Sequence, residues 1–201
     1  MLAKAAIMAV MATAAPFFPL DANPPEVEVA FQAAPPEMVA EIIDGELSLM
    51  PRPRPRHARA ASRLVWCLGE FDEEGGGWVI LIEPELHLGS KPDKVVPDVA
   101  GWRRERMPEI PDAAAITIAP DWACEVLSDR TRRLDRGKKQ RVYAREGVGH
   151  LWFVDPEAEF VEVLRLEGHR WLLVDTFEAD AAVRAEPFEA AELPLGALWA
   201  R

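Results

Sequence analysis

The sequence predicts an α/β (α+β) protein: a mixed β-sheet flanked by helices. Three observations carry the prediction. Short apolar runs at residues 95–102, 122–127 and 150–154 have the length and composition of strands buried on both faces. One longer segment, residues 57–74, keeps Ala61, Leu64, Leu68 and Phe71 at helical spacing. Residues 160–166 and 171–177 then add two further strand patterns, with Asp155-Pro156 and Glu167-Gly168 as turns of a meander.

The elements follow in order. Residues 1–15 carry one lysine and an alanine- and methionine-rich apolar stretch, and Ala12-Thr13-Ala14 has the form of a signal cleavage point. The apolar core is short and poor in leucine, and Met8 and Met11 offer alternative starts. Residues 1–35 are therefore read as an irregular or disordered leader, ahead of one domain over 36–201. Pro36-Glu37 opens a short helix through Ile43, because proline and an acid are favoured in a first turn. Asp44-Gly45 signals a turn, and 46–50 reads as a strand. The Pro-Arg alternation over 51–56 is extended, since a residue before proline is driven out of the helical region.

The helix of 57–74, with His57 on its inward stripe, ends at Gly75-Gly76-Gly77. A strand over 78–82 and a polar loop over 89–94 lead to the strand of Asp98. A loop or helical turn over 103–115 precedes the strand of Glu125, and a helix over 132–146 is stopped by Gly147. The apolar tail, 188–199, packs on the sheet. The seven tryptophans are distributed through these elements and read as core.

Composition narrows the function classes. Half of the 201 residues are apolar, enough for a full core. Cys67 and Cys124 lie in apolar surroundings, as reduced, buried thiols of a cytoplasmic protein do. No stretch after the leader approaches the ~20 apolar residues of a membrane span. The net charge of −11 argues against a general nucleic-acid coat protein. The basic residues nevertheless cluster. Runs at 52–63, 103–106 and 130–145 hold five, three and eight of the 23, while the acidic surplus lies notably from Glu157 onward. A basic face on an acidic body suits a nuclease, and solvated helix faces have the same appearance.

Asp98 and Glu125 sit inside apolar strands, where an unpaired charge costs several kcal/mol and needs a cation beside it. Lys138-Lys139 follows in the basic helix. Two acids on adjacent strands with a nearby lysine form a constellation for metal-assisted attack on a phosphodiester. Adjacent helical positions point about 100° apart, so only one of the two lysines faces the acids. Asp135, Lys139 and Tyr143 share a face at i, i+4 and i+8, as does Glu146, so that face suits an ion-paired surface equally well. Spacing alone leaves Lys139 and Lys138 as rivals for that place.

Glu46 is a candidate third acid near the metal, or else a capping or ion-pairing residue. His57 is positioned to reach the phosphate or the metal shell, or to serve as a hydrogen-bonded residue at the core edge. Asp155 reads as a turn residue and Ser128 as the cap of the turn after the Glu125 strand. Arg54, Arg56, Arg59, Arg132, Arg133 and Arg136 are the expected nucleic-acid contacts.

Pro97-Asp98, Glu125-Val126-Leu127-Ser128, Lys139 with Tyr143 and Gly147-Val148, and Trp152-Phe153-Val154-Asp155-Pro156 occur in one order, after Glu41-Ile42-Ile43-Asp44-Gly45-Glu46 and His57. This ordered set resembles the Uma-two family of restriction-endonuclease-like proteins, a branch of the PD-(D/E)XK nuclease superfamily. The resemblance covers residues 37–166. It implies a restriction-endonuclease-like fold, a DNA substrate, and Mg2+ or Mn2+ held by Asp98, Glu125 and the Val126 carbonyl. It also implies Lys139 as the catalytic lysine, and a homodimer that cuts two strands. One position departs from the superfamily pattern: the usual lysine, two residues past the acid, is replaced by Leu127, so the amine must come from the following helix. A nuclease-fold binding or regulatory module without turnover is the alternative function, and a small-molecule phosphodiesterase a third.

Overall fold

In the computed structural model, residues 23–73 and 75–199 are described; the signal-like stretch and most of the expected leader lie outside them. Helix α1 (Pro25–Gln32) corrects the leader, because Val27 and Ala30 are buried and give this segment a packed face. Strands β1 (Met38–Ile43) and β2 (Glu46–Pro51) come next. The helix expected at 36–43 is thus a strand. Asp44 and Gly45, at φ 54° and 78°, form the tight turn that pairs Ile43 with Glu46 and Met38 with Pro51. Hairpin pairing overrides the helical preference of Met38, Ala40 and Glu41.

Helix α2 (Pro55–Cys67) begins at a proline in the first turn. The continuous helix expected to Glu74 breaks at Leu68, and the short helix α3 (Gly69–Asp72) resumes it. Strand β3 (Trp78–Ile82) follows. The expected polar loop at 89–94 is instead part of a second hairpin, β4 (Leu86–Leu88) with β5 (Asp93–Val95), whose three-residue strands are too short to show a period. Then come β6 (Val99–Arg103) and β7 (Trp122–Val126).

Helix α4 spans 132–145 in three consecutive stretches: α-helical Arg132–Leu134, a π-helical turn Asp135–Lys139, and α-helical Gln140–Arg145. Gly147, at φ 76°, ends it. Strands β8 (His150–Asp155), β9 (Phe160–Glu167) and β10 (Arg170–Glu178) form the expected meander. Strands β11 (Ala182–Val183) and β12 (Leu193–Pro194) and helix α5 (Gly196–Trp199) complete the described chain.

The main sheet is mixed, ordered β10-β9-β8-β7-β6-β3, with only β7 and β8 parallel. Helix α4 makes that parallel crossover. The hairpins β1–β2 and β4–β5 join in a second sheet, ordered β2-β1-β5-β4. Strand alternation divides the core. Trp122, Cys124 and Val126 pack on one face with Ala61 and Leu64 of α2, while Ala123 and Leu127 pack on the other with Val142 and Tyr143 of α4. The tail docks on the first face through Phe188, whose ring lies 4.8–5.7 Å from those of Phe71, Trp78, Trp122 and Trp152. Trp66 is the exception among the tryptophans: it points away from the inward stripe of α2 and is exposed.

A four-carboxylate cavity between two sheets and two helices: the candidate active site

Glu125 occupies the one position of β7 where the α4 side of the sheet carries a charge, since Ala123 and Leu127 flank it on that face. Antiparallel register pairs Val99 with Cys124 and Ala100 with Ala123. Continued by one residue, it sets Asp98 opposite Glu125, the arrangement in which cross-strand side chains are near neighbours. Asp98 stands just before β6, outside the ladder itself, and lines the cavity. Its two oxygens are engaged. Oδ2 accepts the Val126 N–H at 2.7 Å, and Oδ1 lies 2.6 Å from Nε2 of His57. His57 arrives from the first turn of α2, on the inward side expected of it.

Lys139 comes from the π-helical turn of α4. Its ammonium lies 2.8 and 2.9 Å from the two Glu125 oxygens and donates to the Val96 carbonyl at 2.9 Å. Glu41 Oε1 is 3.2 Å away and Asp135 Oδ1 3.9 Å. Tyr143, one turn further along α4, donates its hydroxyl to Glu125 Oε1 at 2.5 Å. All five side chains are buried. The wider π turn still keeps Asp135 and Lys139 beside each other while both point inward; such turns recur at functional sites.

Burial and charge act together on this cluster. Burial drives Glu125 well above the usual carboxylate range, and Asp135, Asp98 and Glu41 push the same way against the opposing Lys139. Asp135 rises to about 6, chiefly through burial, with Asp98 and Glu41 adding to it and Lys139 and a Thr131 hydrogen bond opposing. Burial works against the Lys139 ammonium, but Glu125, Glu41, Tyr143 and Asp135 together hold its pKa well above the ordinary value. Burial likewise disfavours a charged His57, yet its hydrogen bond and attraction to Asp98 raise it overall. Four carboxylates thus meet one lysine and one histidine in one space.

That space is a cavity of about 570 Å³ with a mixed lining. Glu41, Asp98, Glu125, Asp135 and Lys139 line it, and so do Arg54, Arg56 and Arg130. The remaining expected residues separate into two groups. Glu46 and Lys138 pair with each other at the surface, and neither lines the cavity, so Lys139 rather than Lys138 reaches Glu125. Arg132 is ion-paired with Asp155, and Arg136 with Glu162 while also covering the Phe153 ring; Arg133 is exposed. Arg59 is exposed on α2 and lines a smaller neighbouring pocket. Asp155 also accepts the Glu157 and Ala158 N–H groups, the role of a turn residue. Ser128 Oγ accepts the Thr131 N–H at 3.3 Å.

Glu41 is the acid that sequence reasoning placed wrongly: read as helical, it had no reason to point at Lys139. Its Oε1 accepts the Val96 N–H at 2.9 Å, which ties β1 to the segment leading into Asp98.

The donor set fits a hard divalent cation in one respect and limits it in another. Its side-chain oxygens and its excess of negative charge match what Mg2+ and Mn2+ bind. Among the described residues, however, no group of three or more His, Cys, Asp or Glu is arranged to hold a metal ion. A site here would rest on two carboxylates, a main-chain carbonyl and water, the sparse ligation Mg2+ commonly uses.

The chain shares its fold with a crystal structure titled as a putative nuclease from Anabaena variabilis ATCC 29413, with a TM-score of 0.71 and 22% identity over 86% of this chain and 96% of that one. The search of curated proteins returned no match. A family profile described as "Uma2: Putative restriction endonuclease" matches residues 28–196. The chain, matched by that family over most of its length, belongs to the Uma2 family.

Proposed function

We propose that this protein is a divalent-metal-dependent nuclease that hydrolyses DNA phosphodiester bonds. The observation that carries the reading is the cross-strand placement of Asp98 beside Glu125, with the Lys139 ammonium on Glu125, in a cavity that arginines also line. Asp98, Glu125 and the Val126 carbonyl would hold Mg2+ or Mn2+. When bound, the ion supplies neutralising charge at a phosphate and acidifies a water.

The chain's own groups do the rest. Arg54 and Arg56 attract the polyanion to the mouth. Lys139, kept protonated by its acid neighbours, donates to a phosphate oxygen or orients a water. His57, held by Asp98, offers a second proton donor at the cavity edge. Asp135 and Glu41 keep Lys139 charged and fixed. Two copies would present two such sites to a duplex.

Incubating purified protein with supercoiled plasmid and about 5 mM Mg2+ or Mn2+ tests this. Nicking or linearisation is expected, lost in EDTA and in Asp98→Ala protein whose circular dichroism is unchanged. No cleavage by wild-type protein of any single- or double-stranded DNA would overturn it.

One observation favours a second reading, a nuclease-fold binding module without turnover: all four oxygens of Asp98 and Glu125 already have protein partners. DNA binding unchanged in Glu125→Ala, with no heat of Mg2+ or Mn2+ binding, would select that reading.

A further inference from the structure

Helix α2 carries a second feature along the face that leads away from the cavity. From Arg56 at the cavity lining, Arg59, Arg63 and Trp66 follow at i+3, i+7 and i+10, which is one stripe of an α-helix. The inward stripe of His57, Ala61, Leu64 and Leu68 lies on the other side of the helix. Trp66 is 68% exposed, more than any other large apolar residue described. The Arg63 guanidinium lies 4.4 Å from the centroid of its ring. One face of the indole therefore lies against a cation, while most of the residue stays open to solvent.

An indole left open to water forgoes the burial that makes tryptophan worth placing. Its neighbours along the stripe indicate the occupant. Three arginines in line, on a chain whose net charge is −11, complement a phosphate backbone. At about 1.5 Å per residue the stripe is about 15 Å long, the length of roughly four stacked nucleotides at about 3.4 Å each. Inside a duplex, base faces are already covered by neighbouring bases, so a ring can stack only on an unpaired or terminal base.

We propose that Trp66 is a base-stacking platform for an unpaired stretch of nucleic acid, whose phosphates run along Arg63, Arg59 and Arg56 toward the carboxylate cavity. The inference rests on the nuclease reading for its direction and deepens it: the preferred substrate contains a single-stranded segment about four nucleotides from the scissile bond.

Fluorescence anisotropy in EDTA, where metal-dependent cleavage is silent, tests it with a labelled 12-nucleotide single strand and the matching duplex. Trp66→Ala is expected to weaken single-strand binding about tenfold or more and duplex binding less than about twofold, with Trp66→Phe keeping most of the affinity. Equal single-strand affinity of wild type and Trp66→Ala would overturn the platform, as would equal losses on both probes. Wild-type protein that binds neither probe overturns the platform together with the DNA reading. Wild-type protein that binds the single strand through Trp66 yet cleaves nothing upholds the platform and removes the nuclease reading alone.

Discussion

At the scale of single residues, the cavity trades stability for chemistry. Asp135 titrates near 6 in the folded protein against 3.8 as an ordinary aspartate. Between those values the folded chain holds a proton that the unfolded chain has released. Through this group, stability is fully present below about pH 4 and is lost as pH rises through about 6. Asp135→Asn removes that cost, and Lys139 keeps Glu125 and Glu41 as partners. Thermal or urea unfolding at about pH 8 is expected to show the variant more stable by on the order of 1–3 kcal/mol, with the gain vanishing near pH 4. A variant less stable than wild type at both pH values would contradict the charge surplus.

Lys139→Met acts in the opposite sense. It leaves Glu125 and Glu41 without their ammonium in a buried site, so it should cost roughly 3–5 kcal/mol and abolish cleavage. A further Glu125→Gln change should recover part of the stability and none of the activity. Lys139→Met protein as stable as wild type by urea titration would show that the ammonium does not carry the pair.

At the scale of elements, legibility in the sequence depended on whether a segment's pattern and its pairing agreed. β7, β8 and β9 are apolar runs bounded by turns, and they fold as such. The helix through Lys139 was legible because Asp135, Lys139 and Tyr143 recur on one face. Its π turn was not, because one shifted hydrogen-bond register leaves no mark in composition. β1 was misread because Met38, Ala40 and Glu41 are good helix formers behind a proline, and hairpin closure at Asp44-Gly45 outweighs them. A strand over these residues brings Glu41 to Lys139, whereas Glu46, the acid singled out in the sequence, faces solvent with Lys138.

The hairpin accordingly carries a residue of the candidate site, Glu41. Gly45 sits at φ 78°, and an added Cβ would meet Lys91 Nζ at 3.2 Å. Gly45→Val should destabilise the protein by about 1 kcal/mol or more. It should also lower activity beyond the loss of folded protein, because Glu41 is carried on the same hairpin. Full specific activity per folded molecule in that variant would separate the hairpin from the site.

At the scale of the whole molecule, one core packs on each face of the main sheet, and Glu125 stands on the α4 side. The one on the α2 side closes over Phe188, which touches four aromatic rings from α3, β3, β7 and β8. Phe188→Ala should cost about 3–5 kcal/mol, read by urea denaturation, although residue 188 lies far along the chain from every site residue. A loss below about 1 kcal/mol would mean that the tail is not part of the core. Among the described residues no helix is long and apolar enough to cross a membrane.

Basic residues at the cavity sit on a chain of net charge −11, so the attraction to DNA that the proposed function requires must be local. What the sequence could not show is which arginines remain available. Arg132 and Arg136 look equivalent to Arg54 and Arg56 in one dimension, but Asp155 and Glu162 bind them in three.

The central claim is that the carboxylates of Asp98 and Glu125 share one divalent cation. Diffraction from crystals soaked in Mn2+, recorded at a wavelength where manganese scatters anomalously, tests it most directly. The account predicts an anomalous peak about 2.1 Å from an oxygen of each carboxylate, with Lys139 displaced from at least one Glu125 oxygen. A map without that peak, with Lys139 still on both Glu125 oxygens at saturating Mn2+, would contradict it.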